Sequence, residues 1–101
     1  MKPIVSLQDL KPGQKMIRKC GDGRVEFYTF LMIHPEHSRY VFLMNVIKRA
    51  DRFYDEDIYK YFYTDYSDLD LINIKRDHAL KQLEECDRAL AMLNQDDEDI
   101  F

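Results

Sequence analysis

The alternation of apolar and polar residues changes period once along the chain. Before residue 66 the runs are short: Gln14 to Cys20 reads as a strand, Arg24 to Ile33 as a second, and Arg39 to Lys48 as a third. Phe53 to Thr64 reads as a further β segment, interrupted by Asp55-Glu56-Asp57. In the second strand Val25, Phe27, Thr29, Leu31 and Ile33 share one face, and Glu26, Tyr28, Phe30 and Met32 the other. Both faces are partly apolar, which predicts a central strand covered on two sides. From Ser67 the period lengthens. Leu69, Ile72, Arg76, Ala79, Leu83, Cys86, Leu90 and Leu93 recur at alternating spacings of three and four, a heptad seam with one charged intruder. Leu80 widens the stripe, and Asp77 with Lys81 and Glu84 with Arg88 pair four apart in the favourable order, at about 0.2–0.5 kcal/mol each. A Ser67–Asp70 cap predicts a helix start here; the alternative is a short strand through Leu69 to Ile72 and a later start near Asn73.

Turn chemistry joins these elements. In Lys11-Pro12-Gly13 proline presets the first central turn residue and glycine supplies the positive φ of the second, and Gly21-Asp22-Gly23 has the composition of a hairpin turn. The expected fold is α+β: a small antiparallel β-barrel or strongly bent sheet followed by one long C-terminal amphipathic helix. The organisation is one structural domain. Residues 1–66 form the barrel or meander, 67–95 a helix packed on it, on a partner protomer, or on both, and 96–101 an acidic tail that frays. The entry Leu7-x-x-Leu10-Lys11-Pro12-Gly13 ahead of a strand meander resembles the start of SH3-like small barrels over residues 4–63. That resemblance implies an architecture only, because the peptide-binding aromatics of SH3 domains have no position-by-position counterparts here.

Composition narrows the function classes. In 101 residues, 46% are hydrophobic and 34% charged, a globular balance that excludes a disordered polar chain. No apolar run approaches the roughly 18 residues that span a bilayer, and the N-terminus lacks the apolar stretch of a secretory signal, so a cytoplasmic protein is expected. Cys20 and Cys86 are too isolated for a disulfide framework or a structural zinc site. The formal charge of -4 is divided unevenly: residues 1–50 carry 9 basic and 4 acidic side chains, and residues 51–101 carry 6 and 15.

Candidate chemistry follows from these patterns. Gly21-Asp22-Gly23 lacks the third glycine and following helix of a dinucleotide loop. His34-Pro35-Glu36-His37 has a spacing that a metal uses only with ligands from elsewhere, and no cofactor is implied. Cys20 follows Arg18 and Lys19, cations of the kind that lower a thiol's pKa, but no histidine lies near it in sequence and its strand-end position is unremarkable; Cys86 falls on the heptad seam, where packing as a small hydrophobe is expected. The richest region is aromatic: 7 of the 14 residues from Phe53 to Tyr66. On a strand, Tyr59, Tyr61 and Tyr63 project from one face, flanked by Asp55, Glu56, Asp57 and Asp65, a mixture suited to protein recognition or to packing beneath the helix.

The expected function is therefore a noncatalytic protein-recognition module, an inhibitor or adaptor. Its partner is another protein, with Leu83, Leu90 and Leu93 available for packing or for a homodimer through the helix. Small acidic inhibitors from phages and mobile elements, including anti-CRISPR proteins, are similar in size and charge, and some such carboxylates stand in for phosphates in a basic groove. The alternative is a nucleic-acid-binding barrel that uses the basic hairpin Lys15, Arg18, Lys19 and Arg24, opposed by the acidic half of the chain.

Overall fold

The computed structural model describes residues 1–100, with side chains through Leu93. Its strands are β1 Lys2–Pro3, β2 Lys15–Lys19, β3 Val25–Ile33, β4 Tyr40–Met44, β5 Ala50–Tyr54 and β6 Phe62–Thr64; its helices are α1 Asp55–Tyr61 and α2 Asp68–Ile100. A single-turn 3-10 segment, Leu7–Asp9, follows β1. The strands form one antiparallel sheet in the order β1-β6-β2-β3-β4-β5. Gly13, at φ 88°, takes the left-handed position of the Lys11–Gln14 turn, which closes as Gln14 donates its N–H to the Lys11 carbonyl at 2.9 Å.

The sheet is strongly bent but open. In the strand order β6 and β5 lie four steps apart, about 19 Å in a flat sheet at about 4.8 Å per step. Yet the rings of Phe53 on β5 and Phe62 on β6 have centroids 5.2 Å apart, and Tyr28 on β3 meets both, at 5.2 and 5.5 Å. The two ends therefore curl toward each other over a single core that also holds Leu7, Met16, Phe30, Val41, Leu43 and Ile58. Closure into a barrel does not occur. β1 is only two residues long, and β5 runs directly into α1, so neither edge has a free partner along its length.

Two expectations from strand alternation are corrected. Phe30 pairs with Leu43 but Met32 with Phe42, so Leu31 is an extra residue, a bulge. Parity flips there. Tyr28 and Phe30 are buried before the bulge, Ile33 packs against the core after it, and Met32 is left exposed. The second correction concerns Phe53–Thr64, which is not a continuous strand: α1 interrupts it. Asp55, Glu56 and Asp57 occupy the first turn of α1, where negative charge complements the helix dipole. Ile58 and Phe62, four apart, both fall fully into the core, and the Phe62 N–H donates to the Ile58 carbonyl.

Of the two possible starts for the terminal helix, the earlier is present. Asp70 donates its N–H to Ser67 Oγ at 3.2 Å, and its carboxylate accepts the Ser67 N–H at 2.9 Å, a reciprocal capping box. α2 then continues through Ile100, so residues 96–99, expected as a tail, belong to its last turns. The molecule is accordingly elongated, 68 × 29 × 27 Å, with a radius of gyration of 19.2 Å against about 13 Å for a compact chain of this length.

Candidate interaction surface

Which side of α2 meets the sheet decides what the seam can do. With Leu69 as position a of the heptad, Ile74 and Lys81 are at f, Asp77 at b and His78 at c. These four line one small cavity with Lys19, Cys20, Gly21 and Gly23 of the β2–β3 hairpin. Ile74 is buried, while Asp70, Leu71 and His78, at b and c, are partly buried. Gly23, at φ 81°, lies so close beneath His78 that any β-carbon there would overlap its side chain. On the outer face of β2, opposite Met16, Ile17 is fully buried. Positions b, c and f therefore hold the helix to the sheet, and positions a and d point the other way.

The seam is exposed along its whole described length. Leu69, Ile72, Leu83, Leu90 and Leu93 range from 57% to 65% exposed, and Arg76, Ala79 and Cys86 are exposed as well. Leu80, which widens the stripe, is 49% exposed. Of the two uses expected for the seam, packing on the sheet and contact with a second protomer, the first is not seen: Ile74, buried on the polar side of the helix, with His78 over Gly23, does the docking instead.

The tyrosines are not brought together as a stripe. Tyr59 and Tyr61 lie on α1 and Tyr63 on β6, between Pro3 of β1 and Ile17 of β2. Tyr59 Oη accepts the Leu7 N–H at 3.3 Å, so it ties the 3-10 turn to α1. Tyr63 is half-buried. The carboxylates separate too. Asp55, Glu56 and Asp57 begin α1, whereas Asp65, beyond β6 at φ 52°, pairs with Lys2 at 3.6 Å.

Tyr61 instead meets the basic hairpin, in a cleft of about 440 Å³ lined with Arg18, Cys20, Arg24 and Glu26. The hairpin's four cations are likewise split. Arg18 pairs with Glu26 at 3.6 Å and lies 5.8 Å over the Phe53 ring, and Arg24 pairs with Asp22. Lys15 and Lys19 share the outer face of β2 with Ile17. Cys20 donates to Glu26 at 3.1 Å; burial, then this bond and the carboxylate's charge, raise its pKa and outweigh Arg18 and Arg24. The thiolate is therefore disfavoured, in spite of the neighbouring cations.

A further aromatic patch had no signal in the chain pattern, because its members pair only across strands. Tyr40 on β4 lies opposite Tyr54 on β5, centroids 5.4 Å apart, with the Arg52 guanidinium 4.6 Å over Tyr40. His34 stacks nearby, but its Nδ1 accepts the Glu36 and His37 N–H groups, both at 3.1 Å, and so shapes the loop. Among the described residues no group of three or more His, Cys, Asp or Glu is placed to hold a metal ion, and no helix is long and apolar enough to cross a membrane. Compared with protein-family models, curated proteins and solved structures, the chain has no significant match.

Proposed function

We propose that this chain is a noncatalytic protein-recognition module whose principal contact surface is the outward seam of α2. The bent sheet is the mount that holds the helix by its opposite face. One observation carries the reading: the helix docks through Ile74 and His78, so a continuous stripe from Leu69 to Leu93 is left to a binding partner. Single exposed leucines are ordinary, but a stripe of them on one helix face is a large apolar patch, which marks an interaction site. The carboxylates that begin α1 and, separately, Tyr61 at its end add polar contact groups beside the sheet, in keeping with an inhibitor or adaptor that grips another macromolecule. In this reading the bent, open sheet is SH3-like in architecture.

The basic hairpin supports nucleic-acid binding less well, since Arg18 and Arg24 already face carboxylates and only Lys15 and Lys19 are left among its four cations. The test is a photo-crosslinking residue at Leu83 in the producing cell, with and without Leu90→Asn. Crosslinking to a protein that Leu90→Asn abolishes, while the melting temperature of the sheet is unchanged, supports the reading. Crosslinking to nucleic acid alone, or to nothing, overturns it.

A further inference from the structure

The spacings of the seam, 3, 4, 3, 4, 3, 4, 3, read the same in both directions. Reading outward from Lys81, Ala79 matches Leu83, Arg76 matches Cys86, Ile72 matches Leu90 and Leu69 matches Leu93. Two copies laid antiparallel about Lys81 thus pair every seam position, a with d, over about 36 Å of helix at about 1.5 Å per residue. Small Ala79 faces large Leu83, and Ile72 and Leu69 face leucines. The Leu80 side chains of the two copies flank the centre. Because the sheet holds positions b, c and f, each copy's sheet lies on the outside of the pair and does not obstruct it.

Charge selects the same arrangement. Residues 75–81 carry Lys75, Arg76 and Lys81 against one anion, Asp77; residues 84–88 carry Glu84, Glu85 and Asp87 against one cation, Arg88. Antiparallel pairing about Lys81 brings Lys75 level with Asp87 of the second copy and sets Arg76, opposite Cys86, between its Glu85 and Asp87, while Asp77 falls level with Glu85 and Lys81 with Lys81. A parallel pair in register instead places Arg76 against Arg76 inside the seam and aligns like charge with like along both segments, which is unfavourable. Resting on the assignment of the seam as a contact surface, we infer that its occupant is a second copy of this chain, bound antiparallel with two-fold symmetry about Lys81.

Cysteine pairing reads the orientation directly. In a Cys20→Ser, Cys86→Ser background, one preparation carries Ile72→Cys and another Leu90→Cys. Both sites are exposed, at 60% and 57%. After mixing and mild oxidation, the antiparallel pair gives the mixed 72–90 disulfide, because equivalent Ile72 positions are about 27 Å apart along the axis. Disulfides within each preparation, 72–72 or 90–90, indicate a parallel pair and overturn the inference. A monomer by sedimentation equilibrium at all concentrations overturns it as well; Leu83 crosslinking to a different protein in the cell would then leave the recognition reading standing. Arg76→Glu should weaken the dimer roughly tenfold, a change of about 1.4 kcal/mol. Adding Glu85→Lys and Asp87→Lys to the same chain should restore it, and failure of that rescue counts against the register.

Discussion

The junction of Gly23 and His78 allows the direction of the seam to be measured. In Gly23→Ala a β-carbon would sit 2.5 Å from His78 Cδ2 and 2.7 Å from its Cβ, with Cγ nearer still. Ring rotation relieves the first of these contacts and not the other two, so the helix or the hairpin must shift. Overpacking of this kind costs about 1–3 kcal/mol. Separately, φ of 81° costs an L-residue about 1–2 kcal/mol, less about 0.4–1 kcal/mol returned by the stiffer unfolded chain. Gly23→Ala should therefore destabilise by about 2–4 kcal/mol. His78→Gly removes all three clashing atoms. Its own mid-helix penalty of about 1 kcal/mol appears on both arms of a double-mutant cycle and cancels. Urea unfolding followed by tyrosine fluorescence, for which the chain has seven tyrosines and no tryptophan, gives the four stabilities. The coupling should be about 1–3 kcal/mol, with Gly23→Ala less harmful when His78 is absent. Additivity within about 0.5 kcal/mol would mean that the hairpin does not hold this face of α2, and the outward direction of the seam would lose its basis.

Four further outcomes follow from the geometry. Tyr59→Phe should cost about 0.5–1.5 kcal/mol by leaving the Leu7 N–H without its partner, while association through α2 is unchanged; a loss of association at constant melting temperature would restore Tyr59 as a contact residue. Ser67→Ala should cost about 1 kcal/mol through loss of the cap, measured by thermal unfolding. Asp70 in that cap has its pKa lowered below 3.8, first by the Ser67 N–H and then by the Met1 ammonium. Its contribution is therefore complete above pH 3.8 and lost as pH falls through the lower folded value, so the stability difference between wild type and Asp70→Asn should vanish only in that acid range. Lys15→Glu with Lys19→Glu should leave fluorescence anisotropy of a short labelled oligonucleotide unchanged; a salt-dependent drop in affinity would favour the basic hairpin as a nucleic-acid site.

The parts of the fold that were legible in the sequence are those set by neighbours along the chain. The α2 seam and the Ser67–Asp70 cap depend on residues three and four apart, and both are present. The Lys11–Gln14 turn is local in the same sense. α1 was hidden because Tyr59, Tyr61 and Tyr63 imitate strand alternation; the informative pair was Ile58 with Phe62, four apart, behind three acidic residues suited to a helix start. The Leu31 bulge and the open edges depend on pairing between distant segments, which alternation within one strand does not encode. The side of α2 that meets the sheet turned on one isoleucine among polar residues, and eight seam positions outweighed it in the pattern, although among the described residues of α2 only Ile74 is buried.

That division of α2 has a consequence for the isolated molecule. From residue 82 to residue 93 every side chain is exposed, so this segment has no tertiary packing to support it. In proteins most helical stability comes from packing of an amphipathic face rather than from propensity, and the pair Glu84 with Arg88 adds only about 0.2–0.5 kcal/mol. The last turn of α2 carries no basic residue to complement the helix dipole. Helicity beyond Lys81 should therefore be linked to burial of Leu83, Leu90 and Leu93, and through them to self-association. Circular dichroism at 222 nm, measured across dilution of the purified chain, should show helical signal per residue falling as the dimer dissociates. Leu83→Asn with Leu90→Asn should show the low value at every concentration, with the sheet still melting cooperatively. A wild-type signal that does not change while sedimentation shows dissociation would mean that α2 stands without its partner, and the seam would then serve recognition without also stabilising the helix that carries it.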